Sequence, residues 1–163
     1  MITRITAGAF LVCNDKILLM KRGLDKELAP GFWANIGGHM DLGDITNPRA
    51  LNLEETCYRE VKEETGIDKS DIRSLALRYI TMRKDGLEIR LNYHYIGNVK
   101  NELPVPAHDE GEFFWVYKKE IHNLPMTFSV KQTLTHWLTH PESDHIILVV
   151  VNSMNDSAEI LEL

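Results

Sequence analysis

The chain has 163 residues, 44% hydrophobic and 26% charged, with a net charge of −6, which is the composition of a soluble globular protein with a core of useful size. The acidic balance offers no basic stripe to a phosphate backbone and excludes broad nucleic-acid binding, but not a small polyphosphate whose charge a bound metal offsets. No apolar run approaches the roughly 20 residues of a membrane span. The first residues, Met1-Ile2-Thr3-Arg4, lack the layout of a signal peptide, and a cytoplasmic protein is expected.

Ile5 to Cys13 and Ile17 to Lys21 are apolar and partly β-branched and are joined by Asn14-Asp15, which predicts a hairpin. A polar loop with Pro30-Gly31 leads to a short strand, Phe32 to Ile36, that ends at Gly37-Gly38. After an irregular stretch, 39–46, two helix starts fit: Asn47-Pro48 as N-cap and first helical residue, or a later start near Asn52. Ala50, Leu53, Cys57 and Val61 recur at helical spacing as a core face, and Gly66 is placed to end the helix. Leu75 to Arg83 and Leu87 to Val99 form a second hairpin around Lys84-Asp85-Gly86. Phe113 to Tyr117 is a strand and Lys118 to His122 a helical turn. Thr127 to His140 is a helix stopped by Pro141, and His145 to Val151 is a final strand, paired with Ile160 to Leu163. No repeat or linker divides the chain, so a single domain over 1–163 is expected. Strand pairs mixed with two helices give an α+β sandwich. Cys13 and Cys57 lie in apolar segments and read as reduced core residues.

Chemistry concentrates in Arg59-Glu60-Val61-Lys62-Glu63-Glu64-Thr65-Gly66-Ile67. Glu60, Glu63 and Glu64 stand at i, i+3 and i+4, where like charges on a helix repel. A hard divalent cation with a preference for oxygen ligands makes such a cluster favourable. A solvated acidic face is the plain alternative, and Arg59, Gly66 and the upstream Gly37-Gly38 weigh against it.

Gly38, five residues, Asp44 and then the run from Arg59 to Ile67 resembles the Nudix box, with residues 38–67 as its extent. Every fixed position of the second half matches. In the first half Asp44 stands where glutamate is usual, and seven extra residues precede Arg59, about two helical turns. The resemblance implies an α/β/α sandwich with a mixed β-sheet between helices, and a Nudix-type (MutT-like) pyrophosphohydrolase that uses Mg²⁺, with Mn²⁺ as a substitute. It implies Glu60, Glu63, Glu64 and Glu110 as metal ligands, Glu110 being preferred to Glu112 by its distance from Trp115. Glu63, Glu64 and Arg59 take catalytic roles, and Gly37, Gly38, His39 and Trp33 are substrate-binding candidates. Which carboxylate is the base stays open, as does the role of Asp44. The partner is a small nucleotide or diphosphate, not a nucleic-acid polymer or a membrane, and the protein is a monomer or homodimer.

The residues support that chemistry independently. Cleaving a diphosphate needs charge neutralised on phosphoryl oxygens and an activated water. Glu60 and Glu64, one turn apart, suit a Mg²⁺ that keeps waters and takes a few carboxylates. Arg59 orients a glutamate through a charge-assisted hydrogen bond. His136 and His140, also one turn apart, read as surface or capping residues because Pro141 ends their helix. Two other functions compete. Pro30 to Asn35 resembles a segment of isopentenyl-diphosphate isomerases, but Ile36, Gly37 and Gly38 stand where those enzymes carry a catalytic cysteine. A non-catalytic nucleotide-binding regulator should have lost box glutamates or gained a DNA-binding domain. No proline occurs between Gly66 and Pro104, which disfavours ADP-ribose among the resembled subfamilies. A (deoxy)nucleoside triphosphate, plain or oxidised, is the expected substrate.

Overall fold

The computed structural model describes residues 2–41, 52–152 and 157–163. Strands β1 (Ile2–Cys13) and β2 (Lys16–Arg22) form the expected hairpin, with Asn14 at φ 52° in its turn. They stay paired only from Leu11–Cys13 to Lys16–Leu18 and then part. The next segment fills the gap as β3 (Trp33–Ala34) on β2 and β4 (Ile36–His39) on β1. The strand expected to stop at Gly37-Gly38 therefore runs through them, because pairing with Thr6–Ala9 continues to His39.

Helix α1 (Leu53–Thr65) begins at Asn52, whose side chain accepts from the Glu55 N–H at 3.3 Å, a normal N-cap bond. Of the two starts, the later one is observed; Asn47, Pro48, Ala50 and Asp44 lie outside the described residues. Gly66 ends the helix at φ 74°, its N–H donating to the Lys62 carbonyl. A short 3₁₀ turn (Lys69–Asp71) leads to β5 (Ile72–Asp85) and β6 (Glu88–Val99), the second hairpin, longer than expected and bulged near Arg78. β7 (Gly111–Tyr117), a 3₁₀ turn (Lys118–Asn123), α2 (Phe128–Thr139), β8 (Ile147–Asn152) and β9 (Ser157–Glu162) follow.

Among the described residues all nine strands belong to one mixed sheet, β3-β2-β1-β6-β5-β8-β9, with β7 on the other side of β2 and β4 on β1. β1–β6 and β5–β8 are the parallel pairs. Strand alternation sends Phe10, Val12, Ile17 and Leu19 to one face, where Val130, Leu134 and Trp137 of α2 cover them. Ala7, Ala9, Leu11 and Leu18 go to the other face, against Cys57 and Val61 of α1. That is the α/β/α sandwich. Both cysteines are buried and free, and burial raises the Cys57 thiol pKa. No described helix is long and apolar enough to cross a membrane.

Candidate active site

The core stripe of α1 places the three glutamates. Residues are 100° apart on a helix, so buried Val61 and Cys57 turn Glu64 and Glu60 toward β4 and leave Glu63 outward. Glu64 is 7% exposed, and the Glu63 side chain is 57% exposed. The three carboxylates do not share a face equally, as the simple i, i+3, i+4 argument expects. Two face in and one faces water.

The glycines of β4 make the inward pair possible. The Gly37 N–H donates to Glu64 Oε2 at 3.1 Å. Gly37 has φ 151°, and a Cβ there would collide with the backbone of Ala7 and Gly8 on β1. At Gly38 a Cβ would strike the Glu60 carboxylate itself. The Gly-Gly pair is thus a floor without side chains, on which two carboxylates lie.

Arg59 gathers the rest. Its Nη1 reaches Glu60 Oε1 at 2.9 Å and Glu63 Oε2 at 3.0 Å, and its Nη2 donates to the His39 carbonyl at 3.0 Å and lies 3.7 Å from Asp41 Oδ2. His39 thus contributes its backbone carbonyl, and its side chain is exposed. Asp41 was not legible as a participant, since a loop acid carries no periodic signal.

Burial pushes the Glu64 carboxyl up to about 8, with Glu60 and Glu110 adding to the rise and the Gly37 N–H and Arg22 opposing it. Burial also raises Glu60, against the pull of Arg59. Glu110 precedes β7 and sits in an ion cluster: Lys26 Nζ is 3.2 Å from its Oε1 and Arg22 Nη2 is 3.7 Å from its Oε2. Glu112 lies two residues on, exposed, opposite Lys21 of β2. Trp33 is placed elsewhere. It packs half-buried on the α2 face, 5.5 Å from the Phe114 ring. Tyr79 is core, its hydroxyl 2.9 Å from His136 Nδ1, and Trp115 donates its indole N–H to the Leu103 carbonyl at 2.9 Å. His136 and His140 stack on each other at the end of α2, where the His140 N–H caps the His136 carbonyl.

Among the described residues no three His, Cys, Asp or Glu side chains form a ready-made cage for an ion. Mg²⁺ does not need one, because it binds through one or two carboxylates and completes its octahedron with waters and substrate phosphates. A buried carboxylate at about 8, beside a second one and with few donors to satisfy it, fits a hard cation as its missing partner.

The NUDIX domain model matches residues 2–138. The chain belongs to the NUDIX domain family. Membership agrees with the sandwich fold and with the hydrolase chemistry that the site is built to support. A MutT protein from Bacillus halodurans superposes with TM-score 0.73 at 21% identity, over 98% of this chain and 97% of that one. A MutT NUDIX hydrolase from Burkholderia pseudomallei gives 0.64 at 24%, over 83% and 98%. The E. coli dihydroneopterin triphosphate pyrophosphohydrolase gives 0.66 at 15%, over 86% and 99%. No curated protein sequence matches this chain. In this Nudix chain the box divides into two jobs. Arg59, Glu60 and Glu64 bring charge to β4, with Glu63 held on Arg59 at the surface, while Thr65-Gly66-Ile67 terminates the helix. There Thr65 Oγ1 donates to the Val61 carbonyl and accepts from the Ile67 N–H.

Proposed function

We propose that this protein is a Mg²⁺-dependent pyrophosphohydrolase that cleaves the diphosphate linkage of a (deoxy)nucleoside triphosphate. The observation that carries this reading is the Glu64 carboxylate, buried on the Gly37-Gly38 floor beside Glu60. A structural carboxylate so placed costs stability, whereas a cation ligand in the same place is stabilised when the ion binds. Glu60 and Glu64 would hold the ion, with Glu110 and Glu63 as further oxygen donors. When bound, it supplies Lewis-acid charge to the phosphoryl oxygens and lowers the pKa of a coordinated water. Arg59 keeps Glu60 and Glu63 in place through its 2.9 and 3.0 Å contacts. Glu63, held by Arg59 and turned to solvent, would be the carboxylate to take up the proton of the attacking water. The likeness to the E. coli dihydroneopterin triphosphate pyrophosphohydrolase supports a triphosphate as the substrate class.

A phosphate- and pyrophosphate-release assay over a panel of nucleoside triphosphates tests the reading. Turnover should require Mg²⁺, stop with a chelator, and fall roughly 10³-fold in Glu64→Gln. If the intact protein with Mg²⁺ turns over no member, and Glu64→Gln binds nucleotides as well as wild type, the chain is a binding protein and the hydrolase reading is wrong.

A further inference from the structure

Outside the glutamates, one charged cluster borders the site without an assigned role. Arg22 ends β2, and its Nε donates to the Leu28 carbonyl at 2.9 Å. The Gly23 N–H donates to the Glu110 carbonyl at 3.1 Å, which ties the turn before β7 to the β2–β3 loop. Lys26 projects from that loop onto Glu110 Oε1 at 3.2 Å, with Arg22 on the other oxygen at 3.7 Å. The side chains of both cations are three-quarters covered, unusual for lysine. Two cations on one carboxylate leave one positive charge in excess. Arg22 follows Met20-Lys21, which pair with β3, and β3 leads directly into the Gly37-Gly38 floor of β4, so the cluster borders the candidate metal site; Glu110 and Arg22 also act electrostatically on Glu64.

An ion that took Glu110 as a ligand would break this arrangement. A divalent ion on Glu110 would stand within a few ångströms of the Lys26 ammonium, and like charges at such range repel by several kcal/mol at an intermediate dielectric. The ion pairs being displaced share a Glu110 side chain that is 40% exposed, and the Arg22 contact is long at 3.7 Å, so losing them costs less than losing a buried pair. Lys26 and Arg22 would then lack a counter-anion beside a phosphate-binding site, and phosphoryl oxygens are the anions that arrive there.

We infer that Lys26, seconded by Arg22, binds the outer phosphate of the substrate, and that Glu110 exchanges this pair of cations for the metal as metal and substrate enter. The inference rests on the hydrolase reading for the identity of the site. It makes Lys26 a substrate-binding residue and, in the empty protein, a competitor of the metal for Glu110. The two roles have opposite signs, which a merely structural lysine does not produce.

Lys26→Met and the charge-keeping Lys26→Arg test it, with three measurements on each. Mn²⁺ alone, followed by the EPR signal of the free ion, should bind about threefold more tightly to Lys26→Met than to wild type. Inorganic pyrophosphate in the presence of Ca²⁺, followed by calorimetry, should bind roughly tenfold more weakly. For a nucleoside triphosphate that turns over, KM should rise by a similar factor with kcat nearly unchanged. Lys26→Arg should restore pyrophosphate binding. Unchanged or weaker Mn²⁺ binding in Lys26→Met overturns the exchange, and unchanged pyrophosphate binding overturns the phosphate contact. The first two measurements need no turnover, so a failed hydrolase reading would show separately as nucleotides that are never cleaved.

Discussion

The burial of one carboxylate, Glu64, gives this protein a pH dependence in the neutral range. Its folded-state pKa, about 8, lies above the ordinary 4.5. Between those values the folded protein holds a proton that the unfolded chain has lost, so metal-free stability falls as pH rises through this window. The full penalty above pH 8 is at most roughly 5 kcal/mol. Glu64→Gln should therefore raise the metal-free melting temperature at pH 9 by several degrees and have little effect at pH 5. Mg²⁺ should stabilise wild type more than the variant. Equal melting of the two metal-free proteins at pH 9 would mean that the carboxylate is not held as described. The carboxylates themselves were legible in the sequence, because their spacing and neighbours are local. Their different burial was not, since it depends on β4 lying against α1.

At the scale of elements, the length of α1 is the informative feature. Asn52 accepts the Glu55 N–H as an N-cap, two turns before the glutamates. As a cap it should cost about 1 kcal/mol when replaced by alanine. In a helix begun at Asn47-Pro48 the same residue would be interior, where Asn→Ala stabilises by a few tenths. Chemical denaturation of Asn52→Ala thus gives opposite signs for the two helix starts, and destabilisation is expected. Periodicity alone could not separate them, because both starts preserve the Leu53, Cys57, Val61 face. The β4 floor shows a related gap. Gly37-Gly38 reads as a strand-end turn, yet it is strand, and its lack of side chains matters because of Glu60 and of β1.

Across the whole molecule, one sheet separates two apolar layers, and a polar chain crosses its centre. Thr6 Oγ1 donates to Asn92 Oδ1 at 2.7 Å, Asn92 Nδ2 donates to Thr81 Oγ1 at 3.0 Å, and Thr81 Oγ1 lies 3.2 Å from His94 Nε2. His94 Nδ1 is buried with no hydrogen-bond partner among the described residues, so a ring proton on Nε2, donated to the second lone pair of Thr81 Oγ1, leaves no buried N–H unpaired. Burial lowers the His94 pKa to about 4 from 6.5. Its folded pKa lies below the unfolded one, so its contribution to stability is lost as pH falls from 6.5 toward 4, by roughly 3 kcal/mol. Urea titrations at pH 7 and pH 4.5 should show a larger loss in wild type than in His94→Gln, and an equal loss would exclude neutral burial of the ring. By itself the sequence determined the two hairpins, both helices, the apolar faces and the residues of the box. These follow from turn chemistry, periodicity and short-range spacing, all local in the chain. Only the tertiary structure decided that β3 and β4 wedge between β1 and β2, that Glu60 and Glu64 turn inward while Glu63 does not, that the His39 carbonyl and Asp41 join Arg59, and that Lys26 and Arg22 meet at Glu110. Each joins side chains or strands through packing and strand pairing between separate segments, and local sequence carries no signal for where such segments meet.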